Sequence, residues 1–522
     1  MASALPVRLP TRFTAGATIA LARLREDPVR ALTLLVVILA AVPRLWAMWF
    51  DQGVFWPDEI YQSIEQGHRL AFGNGFVPWE FEKGVRSYVF PGVLAVVLKI
   101  ASLLGAHSGE GLVKTAKTFM VVLALWGVAS GMQLGRRIGG AYGVLLAGTF
   151  AALFPASIVY GSRCMGEMAS GPLLISAAVL VTDGGRKRML WAGALAGTAI
   201  YIRYQNGLLA VAFLLVPLFS RRFKDTFWYA LSACVFGIAG GMLDWATWGK
   251  PFNSFIEYYK FNVQEGKASQ WGTADGYYYF HCFWDSTGGV AIVVLAIGLA
   301  LSFTRVRVLP LAVAAYVAGH VMIPHKEYRF LMPVIPLALA LSGGGLGWLL
   351  ERLSGSARDS SAPAAPVAVD GRGARMTRVV GHLATAIAVV TGILLTHKLL
   401  TIRFMDMGQS ADVPVGKQPP WHHEEGPNLA FWEAGKDPQL CGIIMVGIPL
   451  IGTGAYSYLH KNVPILTHLG THASANFLAG PLLMVPPSGY RMVKSFPQDN
   501  YALFKRPGGC APPPAWFSQR HF

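Results

Sequence analysis

The residues with the clearest chemical potential are an acidic pair, Asp58-Glu59, directly after the first apolar segment. Their carboxylates could act as general bases toward a hydroxyl group. Pro57 ahead of them predicts the start of a helix, because proline suits the first turn and acidic side chains favour the positive end of the helix dipole. If the helix continues to Phe72, one polar face carries Asp58, Gln62, Glu65 and Arg69. Such a helix would lie along a membrane surface with its carboxylates toward water, as part of a site or simply as an interfacial helix.

A second charged group begins at His325, immediately before another apolar segment. His325, Lys326 and Arg329 would present positive charge at a membrane surface, which is what a phosphate group requires. Glu327 lies among them and could orient Lys326 or Arg329. The alternative is ordinary flanking charge at a helix end, but such charge usually accumulates on the cytoplasmic side, whereas this cluster is expected on the outer face.

The segment 247–285 is crowded with aromatic residues and also carries several lysines. Aromatic rings beside polar groups suit the faces of sugars, and they equally suit the aromatic belt of a membrane protein. Asp244 ends the preceding apolar segment. An acidic residue at that depth is expected to face a cavity or to pair with a cation.

Several classes of enzyme and metal site lack their signatures. The sequence has no GxxxxGK[ST], GxSxG or HExxH motif, which argues against P-loop ATPases, α/β-hydrolases and zincins. Five cysteines without CxxC spacing predict neither a zinc site nor a disulfide framework, although Cys441 and Cys510 could pair in an oxidising compartment. No cofactor or metal ligand is predicted, and a single Asp-Glu pair leaves a bound divalent cation open.

The composition is that of a membrane protein. Hydrophobic residues make up 53% of the 522 residues and mean hydropathy is +0.43. Charged residues amount to only 14%, against about 25% in soluble domains. The net charge of +16 does not indicate a nucleic-acid partner, because the basic residues occur in short clusters between apolar runs, as in cytoplasmic loops. The chain is therefore predicted to be an all-α polytopic membrane protein.

Eleven apolar runs predict membrane-spanning helices. They lie at 31–50, 113–134, 140–160, 169–182, 189–203, 207–220, 227–246, 287–304, 308–323, 330–350 and 379–398. A weaker run at 90–105 is expected to be re-entrant or interfacial, because only then do all the basic clusters share the cytoplasmic side. Thirteen spans would also keep the two termini on opposite sides. This arrangement places the loops 51–88 and 247–285 on the outer face, with juxtamembrane helices in the first loop.

The segments around the core complete the predicted domain organisation. Residues 1–30 are predicted to be a cytoplasmic N-terminal segment, 31–350 the transmembrane core, and 351–378 a flexible cytoplasmic linker. The last span, 379–398, would lead into an extracytoplasmic domain at 399–522. There the strand-like runs GIIMVGIPL and PILTHL, between Gly/Pro turns, predict a small mixed α/β domain.

Four stretches together resemble glycosyltransferase family 22, which comprises the mannosyltransferases of GPI anchors and dolichol-linked oligosaccharides. They are Pro57 to Arg86, with PDE, Glu65, His68-Arg69 and Trp79-Glu80; Ser162-Arg163 with Glu167; Asp244 to Tyr279; and His325 to Phe330. The resemblance covers residues 30–350, and GAYSYLHKN in the tail matches more loosely. The linker and the rest of the tail depart from the family pattern.

The resemblance implies a GT-C fold of eleven to thirteen transmembrane helices and inverting transfer of a sugar, expected to be mannose. The donor would be a polyprenyl-phosphate sugar and the acceptor a lipid-linked or cell-envelope glycan. Such transfer needs a base near the acceptor hydroxyl and cations near the departing phosphate. Asp58 is the predicted base, with Glu59 as the alternative. The predicted phosphate-binding residues are Arg163, Arg203, His325, Lys326 and Arg329, and the predicted substrate-binding or orienting residues are Glu65, His68, Arg86, Asp244, Tyr258 and Glu327.

Two other functions fit the same pattern. One is a transferase of another lipid-linked sugar, such as arabinose, glucose or aminoarabinose. The other is a transporter or flippase of lipid-linked glycans, which should show internal repeats with interrupted helices, and the sequence shows no such duplication. The high Ala, Gly and Arg content favours a bacterial inner membrane with the site facing the periplasm; a eukaryotic chain would have its site in the endoplasmic reticulum lumen. Membrane lipids are further expected partners.

Overall fold

The computed structural model describes residues 27–355, 371–408, 419–421 and 425–518. These residues form a mainly helical body with one small sheet near the C-terminus. The predicted cytoplasmic segment 1–30 lies almost wholly outside the described residues, as does most of the predicted linker 351–378. An all-α membrane core with a small mixed C-terminal domain is confirmed.

Helices account for the apolar runs of the sequence. Within the described residues, four helices are long and apolar enough to cross a membrane: Pro28–Phe50, Gly109–Leu153, Phe223–Trp248 and Arg375–Thr401. A fifth span results if Tyr278–Thr287 and Gly289–Ser302, bent by 113°, count as one. Further apolar helices are Val89–Leu103, Gly166–Asp183, Arg186–Ile202, Gly207–Phe219, Val308–Val321 and Ile335–Leu353. Short helical turns connect them at Trp79–Glu82, Pro155–Val159, Tyr204–Asn206, Asn253–Tyr259, Lys260–Gln264, Lys267–Trp271, Tyr328–Leu331 and Phe404–Met407. The number of spans stays a prediction.

Two predicted spans, 113–134 and 140–160, belong largely to one helical element, Gly109–Leu153. This element is broken at Gly140 and at the glycine before it. Gly140 has a φ of +57°, and a Cβ atom there would lie 2.0 Å from Glu351 Oε1. The same oxygen accepts a hydrogen bond of 3.2 Å from the backbone N–H of the next residue. The break therefore requires glycine both for its backbone conformation and for the close approach of Glu351.

Basic clusters that were expected to share one side of the membrane converge around Asp183. Its carboxylate lies 2.5 Å from Arg137 Nη2 and 3.6 Å from Arg188 Nε. Arg222 Nη2 donates a hydrogen bond of 2.6 Å to the carbonyl of Val181, two residues before Asp183. Arg137, Arg188 and Arg222, each from a different basic cluster, therefore meet at one end of the helical core.

The weak apolar run at 90–105 forms the helix Val89–Leu103. Its 15 residues extend over roughly 22 Å, less than a hydrocarbon core of about 30 Å. The helix packs closely against residues 65–72, where a Cβ atom at Gly67 would come within 2.9 Å of Leu94 Cβ. Whether the helix is re-entrant or interfacial stays a prediction.

Residues 57–72, here named the site helix, are helical as predicted but not uniformly so. An α-helical turn at Pro57–Glu59 is followed by a π-helical turn at Ile60–Ile64 and an α-helix at Glu65–Phe72. The wider π turn changes the register of side chains around the helix axis. Glu65 is 0% exposed instead of sharing a water-facing side with Asp58, so the prediction of one shared polar face is wrong for Glu65.

The C-terminal domain contains a five-stranded mixed sheet. Its strands are β1 Ile443–Met445, β2 Ile465–Leu466, β3 Phe477–Pro481, β4 Arg491–Phe496 and β5 Tyr501–Lys505. Their order in the sheet is β2-β1-β3-β5-β4. Strands β1, β2 and β3 are parallel, and β5 runs antiparallel to both β3 and β4. The helices Gly426–Gly435 and Ala455–Leu459 complete the domain. Both predicted strand runs thus contain a strand, although each strand is shorter than its run.

One apolar cluster joins the C-terminal domain to the membrane core. It includes Ile60 of the site helix, Leu94 and Met120 of two core helices, and Phe431 and Tyr456 of the domain. The domain is therefore packed against the core and the first outer loop.

The last core helix begins at Gly371, so residues 371–378 of the predicted linker are helical.

Cys441 and Cys510 form a disulfide across 69 residues of the C-terminal domain. We expect the double replacement Cys441→Ser with Cys510→Ser to lower the free energy of unfolding of this domain by about 2–4 kcal/mol, because the bond restricts the unfolded chain. Limited proteolysis of the full chain against denaturant concentration measures this loss. Cys234→Ser removes an unpaired, exposed thiol and should leave the transition unchanged. Titration of five free thiols in the denatured, unreduced protein, in place of three, would contradict the bond.

Candidate functional site

Asp58 and Arg329 lie in direct contact although they come from opposite ends of the core sequence. Asp58 Oδ2 is 2.7 Å from Arg329 Nη2 and 3.9 Å from Arg203 Nη2. The Asp58 side chain is 22% exposed, whereas those of Arg329 and Arg203 are 4% and 8% exposed. The carboxylate is therefore the accessible member of an otherwise buried ionic group.

Local structure fixes both partners of this contact. Asp58 occupies the first turn of the site helix, which begins with Pro57 at a position that needs no backbone N–H. Arg329 lies in the turn Tyr328–Leu331, and its guanidinium stacks 4.9 Å from the ring of Trp56. The residue preceding the site helix thus also orients the arginine that binds Asp58.

Two further carboxylates, of the buried Glu167 and the half-buried Glu327, hold the arginines. Glu167, in the first turn of Gly166–Asp183, lies 2.6 Å from Arg203 Nη2 and 3.9 Å from Arg329 Nη1. Glu327 Oε2 lies 2.5 Å from Arg329 Nε, and its other oxygen lies 2.9 Å from His325 Nε2. Burial raises the pKa of Glu327, but Arg329 and the hydrogen bond from His325 outweigh burial and lower this pKa to about 2. Glu327 is therefore a permanent anion that orients Arg329.

Glu80 and Arg86 of the first outer loop extend the ionic group. Burial, and after it the Asp58 carboxylate, raises the pKa of Glu80, whose Oε1 accepts a hydrogen bond of 2.8 Å from Gln62. Burial and the neighbouring Arg203 lower the pKa of Arg86. Glu80 and Arg86 are thus charged neighbours of Asp58, and Arg86 is also a neighbour of Arg203. We name Asp58, Glu80, Arg86, Glu167, Arg203 and Arg329 the charged cluster.

Tyr258 borders the charged cluster, and Asp244 supports the helix that carries it. The Arg86 guanidinium lies 5.8 Å from the Tyr258 ring, whose hydroxyl accepts a hydrogen bond of 2.5 Å from Gln205. Asp244 Oδ2 accepts hydrogen bonds from the backbone N–H and the hydroxyl of Ser254, at 2.9 and 2.5 Å. Asp244 therefore caps the start of Asn253–Tyr259. Of the two expectations for it, a cavity or a cation, pairing with a cation is not observed among the described residues.

Glu59 and Arg163 belong to a separate buried network. Glu59 Oε1 lies 2.9 Å from Arg163 Nη1 and accepts a hydrogen bond of 2.6 Å from the Phe55 N–H. Arg163 also contacts the Asp51 carboxylate, and Lys117 Nζ donates a hydrogen bond of 2.7 Å to the Asp51 carbonyl. Arg163 and Glu59 are almost fully buried and pair with each other. The structure thus does not bring them to the accessible side of the charged cluster.

Lys326 and His325 hold the 247–285 loop. Lys326 Nζ donates a hydrogen bond of 2.8 Å to the Ala274 carbonyl. His325 Nδ1 lies 2.9 Å from the Gly272 carbonyl oxygen, while its Nε2 contacts Glu327. Of the five predicted phosphate-binding residues, Arg203 and Arg329 contact Asp58. His325 instead contacts Glu327, the partner of Arg329, and Lys326 contacts the loop.

Glu65 and His68 are directed away from the charged cluster, toward the C-terminal domain. Glu65 accepts backbone hydrogen bonds from Tyr456 and Ser457, and His68 contacts His460. Burial raises the pKa of Glu65 to about 7, against the opposing effect of these hydrogen bonds. These two residues were predicted to bind or orient substrate, whereas the structure gives them contacts within the protein.

Four residues of the site were not among the predicted site residues: Gln62, Glu80, Glu167 and Gln205. Glu80 and Glu167 lie inside motifs that carry the family resemblance, but the motifs do not reveal which side chains face the site. Glu167 could have been identified from its position, because an acidic residue in the first turn of an apolar helix is expected to have a functional partner. Among the described residues, no group of three His, Cys, Asp or Glu side chains could hold a metal ion.

The chain is similar to a family of mannosyltransferases over most of its length. A model of the Alg9-like mannosyltransferase family matches residues 34–418. GPI mannosyltransferase 3 of Yarrowia lipolytica is 28% identical over 325 residues, which are 60% of this chain and 62% of the relative. GPI alpha-1,2-mannosyltransferase 3 of Homo sapiens is 25% identical over 312 residues, 56% of this chain and 54% of the relative. The matches thus span just over half the length of these relatives.

Solved structures are similar in fold at low sequence identity. ArnT from Cupriavidus metallidurans bound to undecaprenyl phosphate has a TM-score of 0.57 at 13% identity, covering 93% of this chain and 99% of ArnT. The oligosaccharyltransferase AglB from Archaeoglobus fulgidus, in complex with an inhibitory peptide and a dolichol-phosphate, has a TM-score of 0.52 at 10% identity, covering 88% and 70%. The fold is the GT-C type expected from the sequence. Since the family model covers the charged cluster and most of the chain, the protein belongs to the Alg9-like mannosyltransferase family.

Proposed function

We propose that the protein is an inverting mannosyltransferase that uses a polyprenyl-phosphate mannose donor and a lipid-linked or cell-envelope glycan acceptor. The observation that carries this proposal is the contact of the accessible Asp58 carboxylate with the buried Arg329 guanidinium. Membership of the family supports mannose as the sugar. The lipid phosphates bound to ArnT and AglB, which share this fold, support a donor of the same chemical class.

Asp58 is the general base of the proposed reaction. The acceptor hydroxyl oxygen attacks C1 of the mannosyl phosphate, the bond from C1 to the phosphate oxygen breaks, and the configuration at C1 inverts. Asp58 takes the hydroxyl proton as the new bond forms. Its position at the exposed edge of the charged cluster, within a loop, suits an acceptor that approaches from water.

Arg329 and Arg203 receive the departing polyprenyl phosphate. Without substrate, Arg329 is neutralised by Asp58 and Glu327, and Arg203 by Glu167. A donor phosphate replaces Asp58 as the partner of Arg329, which leaves the carboxylate free to accept a proton. Arg329 stabilises the charge that grows on the phosphate as the bond to C1 breaks.

The remaining groups around Asp58 suit sugar hydroxyls. Glu80, Gln62, Gln205 and Tyr258 supply amide, carboxylate and phenol groups beside Arg86. A few fixed polar groups in a mostly apolar surrounding are typical of sites that select the orientation of a small ligand. These groups give the proposed mannosyl-binding side of the cluster.

We place the site on the extracytoplasmic face, which in a bacterium is the periplasmic side of the inner membrane. Disulfides persist in oxidising compartments, and the Cys441–Cys510 bond lies in the domain that contacts the site helix. The convergence of basic clusters around Asp183 supports a cytoplasmic location for that end of the core.

Replacement of the base tests the proposal most directly. We expect Asp58→Asn to lower turnover by about 10²–10⁴-fold, the usual contribution of general-base catalysis, while the protein still inserts and folds. Turnover is measured with the purified protein, dolichyl-phosphate or undecaprenyl-phosphate mannose, and lipid-linked glycans from a deletion strain as acceptor. Glu82→Gln, at an exposed carboxylate of the same loop, is the control.

The results separate the proposal from its alternatives. Near-normal turnover by Asp58→Asn would refute the base assignment. Transfer of arabinose, glucose or aminoarabinose in place of mannose would indicate a transferase of another sugar. Movement of lipid-linked glycan across vesicles without any transfer would indicate a flippase.

Arg329→Lys retains the positive charge but loses the planar group that spans Asp58 and Glu327. We expect kcat to fall by about 10²–10³-fold, as for the loss of one electrostatic partner of the transition state. Arg491→Lys, on the exposed strand β4, is the matched control. Equal activity of the two variants would show that Arg329 does not bind the departing phosphate.

Glu59→Gln distinguishes the two neighbouring carboxylates. Because it leaves the buried Arg163 with one carboxylate fewer, we expect a loss of about 3–5 kcal/mol in folding stability. The protein that remains folded should keep most of its specific activity, unlike Asp58→Asn. Glu257→Gln breaks a partly exposed ion pair with Lys260 and should change stability by less than about 1 kcal/mol. A fully stable but inactive Glu59→Gln protein would make Glu59 the base.

A further inference from the structure

The C-terminal domain holds the site helix through a buried carboxylate. Glu65 Oε2 accepts a hydrogen bond of 2.8 Å from the Ser457 N–H, and Oε1 accepts one of 3.3 Å from the Tyr456 N–H. Oε1 also accepts a hydrogen bond of 3.0 Å from Phe76 of the same outer loop. With 0% exposure, Glu65 has no contact with water. One side chain therefore ties the site helix to both the loop and the domain.

Further polar contacts join the same two parts of the chain. The Tyr61 hydroxyl donates a hydrogen bond of 2.5 Å to the Leu450 carbonyl. His68 Nε2 and His460 Nδ1 share a hydrogen bond of 2.9 Å, and burial lowers the pKa of His68 to about 4, so that this imidazole is neutral. Together with Glu65, these contacts lie on successive turns of the site helix. The domain thus contacts the site helix at three successive turns.

The two ends of the site helix face different parts of the protein. Asp58, in its first turn, contacts Arg329 of the membrane core, whereas Glu65 contacts the C-terminal domain. The π-helical turn Ile60–Ile64 between them produces this division. A rotation or shift of the helix would break the contacts at both ends. The domain contact consequently limits the directions in which Asp58 can point.

We infer that the C-terminal domain is a positioning element of the transferase site and that Glu65 is the positioning residue through which it fixes Asp58. The inference rests on the proposed function for the role of Asp58. It concerns residues beyond 418, where the match to the family model ends. The domain reaches Asp58 through the site helix, and Glu425 and Asn428 also form hydrogen bonds with the backbone of Gln52, which precedes the site helix in the same loop.

A glycine at the same interface offers a way to move the domain without changing any group of the site helix. Gly109 begins the helix Gly109–Leu153, and a Cβ atom there would lie 1.8 Å from the carbonyl oxygen of Tyr458, next to the residues that bind Glu65. Two residues on, a Cβ atom at Gly111 would lie no closer than 3.3 Å to any atom, the nearest being Ser108 Oγ. Gly109→Ala is therefore expected to push the C-terminal domain away from the core helix. Gly111→Ala is its matched control.

We expect Gly109→Ala to lower kcat by about 10²-fold, the effect of misplacing a reacting group by roughly 1 Å. The donor KM should change by less than about twofold, because Arg329 and Arg203 are not touched. Gly111→Ala should match the wild type in both constants. All rates are measured per monodisperse, folded full-length protein in detergent, with undecaprenyl-phosphate mannose as donor.

Glu65→Gln is the second variant and decides the question if Gly109→Ala does not fold. The amide keeps the shape of the side chain but turns a donor toward a backbone N–H, so it should lower kcat with little change in donor KM. Wild-type kcat per folded molecule in Gly109→Ala or Glu65→Gln, even with a lower folded yield, would overturn the inference. The proposed function fails by a different result, the activity of Asp58→Asn.

Discussion

Two adjacent carboxylates bound by two different arginines set the geometry on which the rest of the site depends. Glu59 pairs with Arg163 inside the core, whereas Asp58 pairs with Arg329 at the exposed edge. Burying a charge is unfavourable unless it is paired and hydrogen-bonded, so neither pair separates unless another charge takes the place of the lost partner. The start of the site helix is therefore fixed from both sides, and Asp58 remains accessible while its neighbour does not.

This arrangement stabilises the site when no ligand is bound, and it also allows the site to bind an anion. Arg329 shares its charge between Asp58 and Glu327. Glu327 is held in place by His325 at 2.9 Å, whereas the further partner of Asp58, Arg203, lies at 3.9 Å. A phosphate can displace the more exposed carboxylate without uncovering Arg329. Positive charge that is already oriented in a buried setting needs little reorganisation when negative charge appears beside it.

Sequence reasoning reached the fold class and the central contact because both follow from the cost of polar groups in a membrane. Apolar runs of sufficient length must be helices there, since every backbone group has to be satisfied within the segment. Asp58 and Arg329 stood out as charges at the edges of such runs. The motif resemblance added that the two belong to one site. Neither argument needed a three-dimensional contact.

The directions of individual side chains could not be predicted in the same way. A regular α-helix from Pro57 would have placed Glu65 near Asp58, and the π turn that separates them has no signature in this sequence. Arg163 looked like a phosphate ligand because its partners, Asp51 and Glu59, lie more than one hundred residues away in the chain. Tertiary contacts decided these positions, and local patterns do not contain them.

Polar residues near the membrane surface prove to have two distinct uses in this fold. Some, such as Arg203, lie in the charged cluster, while others hold outer segments in place: Asp244 caps a helix, Lys326 binds the carbonyl of Ala274, and Glu65 binds the C-terminal domain. All of them satisfy the same requirement that a buried polar group be paired. A polar residue beside an apolar run is therefore evidence first for a partner within the protein, and only second for a bound ligand. Exposure distinguishes Asp58 from Glu65 on the same helix: Asp58 keeps an open side, and Glu65 has none.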